Sequence, residues 1–253
     1  MAFLQAIKAH ITRFARRIIS RFMRLPRGVK RGLTIVFVAF ALFLAIDLIF
    51  PLHTDIKYSR LILSGDGKLV NASLSTDQQW RMKAELQEVN PLLIKTLIYK
   101  EDRWFRFHPG VNPVAIARAL WQNVSLGKRV SGASTITMQV ARMLEPRERT
   151  LFNKLIECFR AFQLEMHCSK NEILGLYINL LPYGGNVQGV KAASFLYFGQ
   201  EPQALSLAQV VTLAIIPNDP NHLNLGRHNT AIVKQRNIWL KKLCTYHLFE
   251  QKA

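Results

Sequence analysis

No aspartate or glutamate occurs before Asp47, and the whole chain holds only 16 of them against 34 lysines and arginines, a formal net charge of +18. The head is therefore purely basic. Nine of the basic residues lie before Leu33; with these set aside, 25 bases still face 16 acids, about +9. That excess points to an anionic partner or surface. Cysteine is scarce too: Cys158, Cys168 and Cys244 are too few for a disulfide framework. Cys158 and Cys168 lie ten residues apart on what reads as one helix and its end, too far to bridge, so buried free thiols are expected. No metal-ligand spacing, internal repeat or low-complexity tract is present. A K-[ST]-G triplet is also missing, which leaves the SxxK match at Ser125 and Lys128 and the SxN match at Ser169 and Asn171 without the third element of a serine transpeptidase.

Residues 33–50, LTIVFVAFALFLAIDLIF, run for 18 positions with one charge. As a helix they span roughly 27 Å, enough for the hydrocarbon core of a bilayer. Asp47 lies near the end of the run, where a charge costs less than at mid-bilayer. Arg13, Arg16, Arg17, Arg21, Arg24, Arg27, Lys30 and Arg31 flank it, which places the N-terminus in the cytoplasm and the body outside it. The charged region is too long for a signal peptide and no small-residue cleavage site follows, so an uncleaved anchor is expected. Within the head, Leu4, Ile7, Ile11, Phe14, Ile18 and Phe22 recur at helical spacing among arginines, as in an interfacial helix on anionic lipid. An adjoining membrane span favours lipid over nucleic acid as the partner of this charge.

The organisation expected is a basic amphipathic head at 1–32, a transmembrane anchor at 33–50, a linker with a small β-hairpin at 51–90 and a mainly α domain at 91–253. RLILSGDGKLV supplies the hairpin, with Gly-Asp-Gly at its turn. A helix runs from Pro91 to Glu101; Asn112 and Pro113 cap the next; a basic loop, GKRVSG, follows; then a helix covers 135–144, stopped by Pro146. Residues 151–167 read as an amphipathic helix with Leu151, Leu155, Ile156, Phe159, Phe162 and Met166 inward. Ser169 with Glu172, and Ser206 with Gln209, form capping boxes.

Three polar clusters carry the chemistry. EDRWFRFHPG, residues 101–110, concentrates acids, arginines, aromatics and a histidine before a Pro-Gly turn. If the helix continues through Glu101, Phe105 and His108 share its face while Asp102 turns away. Such a carboxylate suits a cleft base, although a solvated helix end has the same composition. GASTITMQVARML puts Ser134, Thr135 and Thr137 at a helix start, where free N–H groups suit an anion, with Gln139 and Arg142 on one face. RTLFNKLIE places Lys154 and Glu157 three apart, on a flank away from Leu155 and Phe159. Trp104 and Trp121 sit at positions suited to lipid, glycan or simple packing.

Taken in order, these clusters resemble the motifs of the family 51 glycosyltransferases, the peptidoglycan transglycosylases. EDRWFRFHPG is similar to EDxxFxxHxG, GASTITMQ to GxSTITQQ, RTLFNKLIE to the third motif and KNEILGLYIN to KxxILxxYxN; QRNIWL is a loose version of RRxxVL. Met138, VARMLEP and PYGGNVQGVKAASFLYFG resemble the 1C subgroup of penicillin-binding proteins.

The resemblance implies a lysozyme-like helical fold with a membrane-embedded jaw, in the bacterial inner membrane with the catalytic domain periplasmic. It implies polymerisation of lipid II into β-1,4 glycan with inversion and release of undecaprenyl pyrophosphate. Glu101 would be the general base and Glu157 the second family carboxylate, a possible holder of a divalent cation such as Mg or Mn, though no cofactor is required. Asp102, Phe105, His108, Ser134, Thr135, Gln139, Arg142, Arg149 and Lys154 would bind substrate. Partners would be lipid II, the growing glycan strand, anionic inner-membrane lipids and a separate transpeptidase, because such modules usually continue into a transpeptidase domain and this chain stops at Ala253. Ala133, Met138, Arg142 and Asn153 depart from the family pattern, and Asn153 removes one phosphate ligand. Two rivals stay open: a catalytically weak membrane scaffold and a lytic, peptidoglycan-cleaving enzyme.

Overall fold

The computed structural model describes residues 25–67, 69–126, 134–220, 222–223, 225–226 and 228–245. Residues 1–24 of the expected amphipathic head and the basic loop with Ala133 lie outside them. The chain divides into two compact units, Met1–Leu52 and His53–Ala253.

Among its described residues the first unit holds one helix, α1, Arg27–Ile49, whose 23 residues have no buried member. It starts six positions before the apolar run because nothing after Pro26 breaks it, and Arg27, Lys30 and Arg31 form its first turns. At 1.5 Å per residue it is about 34 Å long, enough to cross a bilayer.

The second unit is mainly helical. Strands β1 (Leu61–Leu63) and β2 (Leu69–Ala72) make the expected hairpin, with a register shift beside Leu63. The segment expected to be a linker is, from His53, part of this unit. Ser59 N–H donates to Arg81 O at 2.8 Å, and buried Arg81 donates through Nε to Gln188 Oε1 at 3.0 Å. Met82, Ala84 and Val89 are core residues. Asn179 holds Ala84 from both sides, accepting from its N–H at 2.9 Å and donating to its carbonyl at 2.8 Å.

Seven helices follow in the order α2 (Pro91–Glu101), α3 (Pro113–Ser125), α4 (Ile136–Leu144), α5 (Leu151–His167), α6 (Lys170–Leu180), α7 (Val190–Phe198) and α8 (Leu207–Ile215), then α9 (Asn229–Thr245). Short polar side chains start them. Asn90, Thr135 and Thr150 each accept a backbone N–H at the head of α2, α4 and α5, and Ser169 and Ser206 form the two expected capping boxes. A second small hairpin, β3 (Pro182–Gly184) with β4 (Val187–Gln188), separates α6 from α7. The core forms where α4 packs on α5 and α6, and where α8 packs on α2 and α9.

One face expected inward is mostly outward, with its Ile156 and Phe159 half-buried. Leu151 and Leu155 of α5 are 89% and 68% exposed, and Phe152, Phe162 and Met166 are exposed with them, while the buried residues are Ala161, Gln163 and Leu164. The neighbours of α5 lie on its small-residue flank. Gly110, at φ +84°, approaches so closely that an added Cβ would stand 2.8 Å from Ala161 O. Close approach selected the alanine side for burial and left the bulky side outward.

Candidate active site

Helix α2 ends where the first cluster begins. Asp102 caps it at φ −159° and ψ 81°, so the helix does not continue and the shared face expected for Glu101, Phe105 and His108 is not formed. Phe105 is wholly buried and cannot meet a ligand directly. The Lys170 ammonium lies 4.6 Å from its ring centre, and donates to His108 O and Glu165 Oε1, both at 2.7 Å.

Asp102 and His108 are buried together. His108 Nε2 and Asp102 Oδ2 are 2.9 Å apart, and Ile136 N–H donates to the same oxygen at 3.1 Å. The carboxylate thus binds the first free amide of α4 as well as the imidazole, pinning two motifs together. Thr135 is used likewise, donating to Gly110 O at 2.5 Å and accepting from Met138 N–H. Asp102, His108 and Thr135 form the floor of the site, with their mapped polar contacts made to protein.

Glu101 lies above that floor. Gln139 Nε2 donates to its Oε2 at 3.1 Å, and the Lys100 ammonium pairs with its Oε1. Burial holds Lys100 below the usual lysine range, opposed by the negative charge of Glu101. Burial also pushes Tyr177 well above the usual phenol range, with Glu101 adding to the effect. Behind Ser134, Lys154 Nζ donates to Ser134 Oγ at 2.8 Å and to Glu157 Oε2 at 2.6 Å. Nearby Cys158 has its thiol raised by burial.

Glu101 and Ser134 open on one cleft of about 940 Å³, also lined by Trp104, Arg118, Trp239 and Lys242. The cleft therefore sets a carboxylate against a hydroxyl that carries an ammonium. Arg142 lies instead in a smaller hollow of about 290 Å³ with Arg147 and Gln188. Arg149 is exposed and has no partner among the described residues. Asn153 donates to Glu148 O at 3.0 Å, a local brace for the start of α5. Among the described residues no three His, Cys, Asp or Glu side chains converge as metal ligands. The Glu157 carboxylate is paired with the Lys154 ammonium.

Sequence reasoning passed over Lys100, Asn218 and Trp239. Lys100 Nζ donates to Asn218 Oδ1 at 2.6 Å across 118 positions and lies 5.7 Å from the Trp239 ring centre. Its adjacency to Glu101 was the one local signal.

The transglycosylase family model matches residues 66–244. Penicillin-binding protein 1C of Escherichia coli (strain K12) is 39% identical over 229 residues, 88% of this chain and 30% of that protein. Penicillin-binding protein 1B of Haemophilus influenzae is 36% identical over 182 residues, 70% of this chain and 23% of that protein. The chain thus spans under a third of the length of these relatives. A crystal structure of penicillin-binding protein 1A from Haemophilus influenzae aligns with 78% of this chain and 20% of its own, at 20% identity and a TM-score of 0.42. With more than two thirds of its length under the family model, this chain belongs to the transglycosylase family.

Proposed function

We propose that the chain is a peptidoglycan glycosyltransferase that polymerises lipid II, with Glu101 as general base. The observation that carries this reading is the shared cleft of Glu101 and the Ser134 hydroxyl to which Lys154 is bonded. The oxygen of an acceptor 4-hydroxyl attacks C1 of the donor sugar and passes its proton to Glu101. The C1–O bond breaks with its electron pair moving onto the departing lipid pyrophosphate, and C1 inverts. A positioned base supplies roughly 10²- to 10⁴-fold. Ser134 and Lys154 meet the charge that grows on the leaving group, and their mutual hydrogen bond fixes them before the reaction. Glu157 orients Lys154, and no step is routed through a metal.

A lipid-linked donor agrees with a 23-residue apolar helix and with the outward apolar face of α5. On this reading the chain sits in the inner membrane with its cleft outside the cytoplasm.

The test is incubation of the detergent-solubilised chain with labelled lipid II, with products sized on a gel and their linkage read by NMR. β-1,4 strands with free lipid pyrophosphate are expected. Shortened glycan from purified sacculi, with lipid II untouched, would establish the lytic reading instead. Inertness of folded protein toward both substrates would favour the scaffold.

A further inference from the structure

Lys100 is an unusual neighbour for a base. Its side chain is 3% exposed, although it lies at the rim of a cleft. Three elements enclose it: α2 supplies Glu101, the turn Ile216–Asn218 supplies the Asn218 amide oxygen, and α9 supplies the Trp239 ring. Lys242 lies 4.9 Å from the same ring centre, so one indole faces two ammonium groups. An ammonium offers three donor hydrogens, of which two are directed at oxygen acceptors and leave little rotational freedom.

We propose that Lys100 is a positioning residue for Glu101, its ammonium clamped by Asn218 and Trp239 so that the carboxylate is held in one orientation at the cleft. This rests on the reading of Glu101 as the base. Gln139 holds the second carboxylate oxygen from α4, so each oxygen has its own donor. The clamp ties the base to α9, a distant part of the chain.

Tyr177 on α6 senses Glu101 together with Arg142 on α4 and Asp102 in the adjoining turn, and Lys242 lies beyond Trp239. Tyr177 is raised far enough to stay neutral through the working range. Lys100 is lowered by burial, and loss of its proton removes the clamp. Parent kcat is therefore expected to fall on the alkaline side, below the ordinary lysine range, in a limb that Lys100→Met lacks.

The experiment compares kcat and KM for lipid II across pH in the full-length parent, Lys100→Met and Asn218→Ala. Lys100→Met is expected to lower kcat on the order of tenfold with KM within about twofold, and Asn218→Ala to act in the same direction more weakly. Parental kcat and pH profile in Lys100→Met would overturn the proposal; if that variant does not fold, Asn218→Ala decides by the same criteria. An inactive parent would defeat the assignment of the base, and the pairing is then judged separately by NMR. The 13Cε signal of Lys100, assigned by its loss in Lys100→Met, should titrate below the ordinary lysine value, and lower still in Glu101→Gln. A midpoint at the ordinary value and indifferent to Glu101→Gln would overturn the pairing.

Discussion

Asp102 stands next to the proposed base and does a different job. Its buried carboxylate holds His108 and the Ile136 amide, so Asp102→Asn weakens two charge-assisted contacts at once. A loss of about 2 kcal/mol is expected, read as a thermal midpoint lower by roughly 4–8 °C. Gly110→Ala should cost more than about 1 kcal/mol, because a positive φ and a Cβ 2.8 Å from Ala161 O oppose it together. Lys154→Met removes a cation that meets charge grown on the leaving group: kcat should fall about tenfold, the equivalent of one charge-assisted hydrogen bond, while the fold is retained. These cases mark what was legible at single positions. The motif order picked out Glu101, Ser134, Gln139, Lys154 and Glu157, which the structure gathers in and behind the cleft. It did not separate lining from scaffold, since Phe105 stands in the same motif as Glu101 yet is spent wholly on packing. That distinction depends on where α2 stops, and Asp102 stops it one residue after the base.

Helix boundaries were legible because caps are local chemistry. Asn112, Ser169 and Ser206 signal their helices within four residues, and each makes the bond its type predicts. The outward side of α5 was not legible. Periodicity reveals a stripe but not its neighbours, and the neighbours of α5 chose Ala161 and Leu164 over Leu151 and Leu155. The hairpin β3 with β4 was missed too, since PYGGNVQ has little strand character and its pairing is supported by Trp80, a hundred positions upstream. An exposed apolar helix face has a direct consequence. Phe152→Glu with Leu155→Glu should leave the thermal midpoint within roughly 2 °C, because surface changes move stability little, yet weaken co-sedimentation of the chain with lipid vesicles several-fold. Unchanged co-sedimentation would show that α1 alone accounts for lipid attachment.

At the scale of the whole chain, basic charge, an apolar span and a cleft holding a carboxylate and an ammonium-bonded hydroxyl agree with the anionic lipid-linked substrate proposed above. The uneven charge and the span were plain in the sequence, because composition needs no folding to be read. The convergence of residues 101, 134 and 239 on one cleft was not, since only the packing of α2, α4 and α9 creates it. The measurement that tests the account most directly is the rate of strand formation from lipid II by the parent and by Glu101→Gln, with both shown to be folded. The account predicts a loss of roughly 10²- to 10⁴-fold in kcat for the variant. Glycan strands made by Glu101→Gln at the parental rate would contradict it.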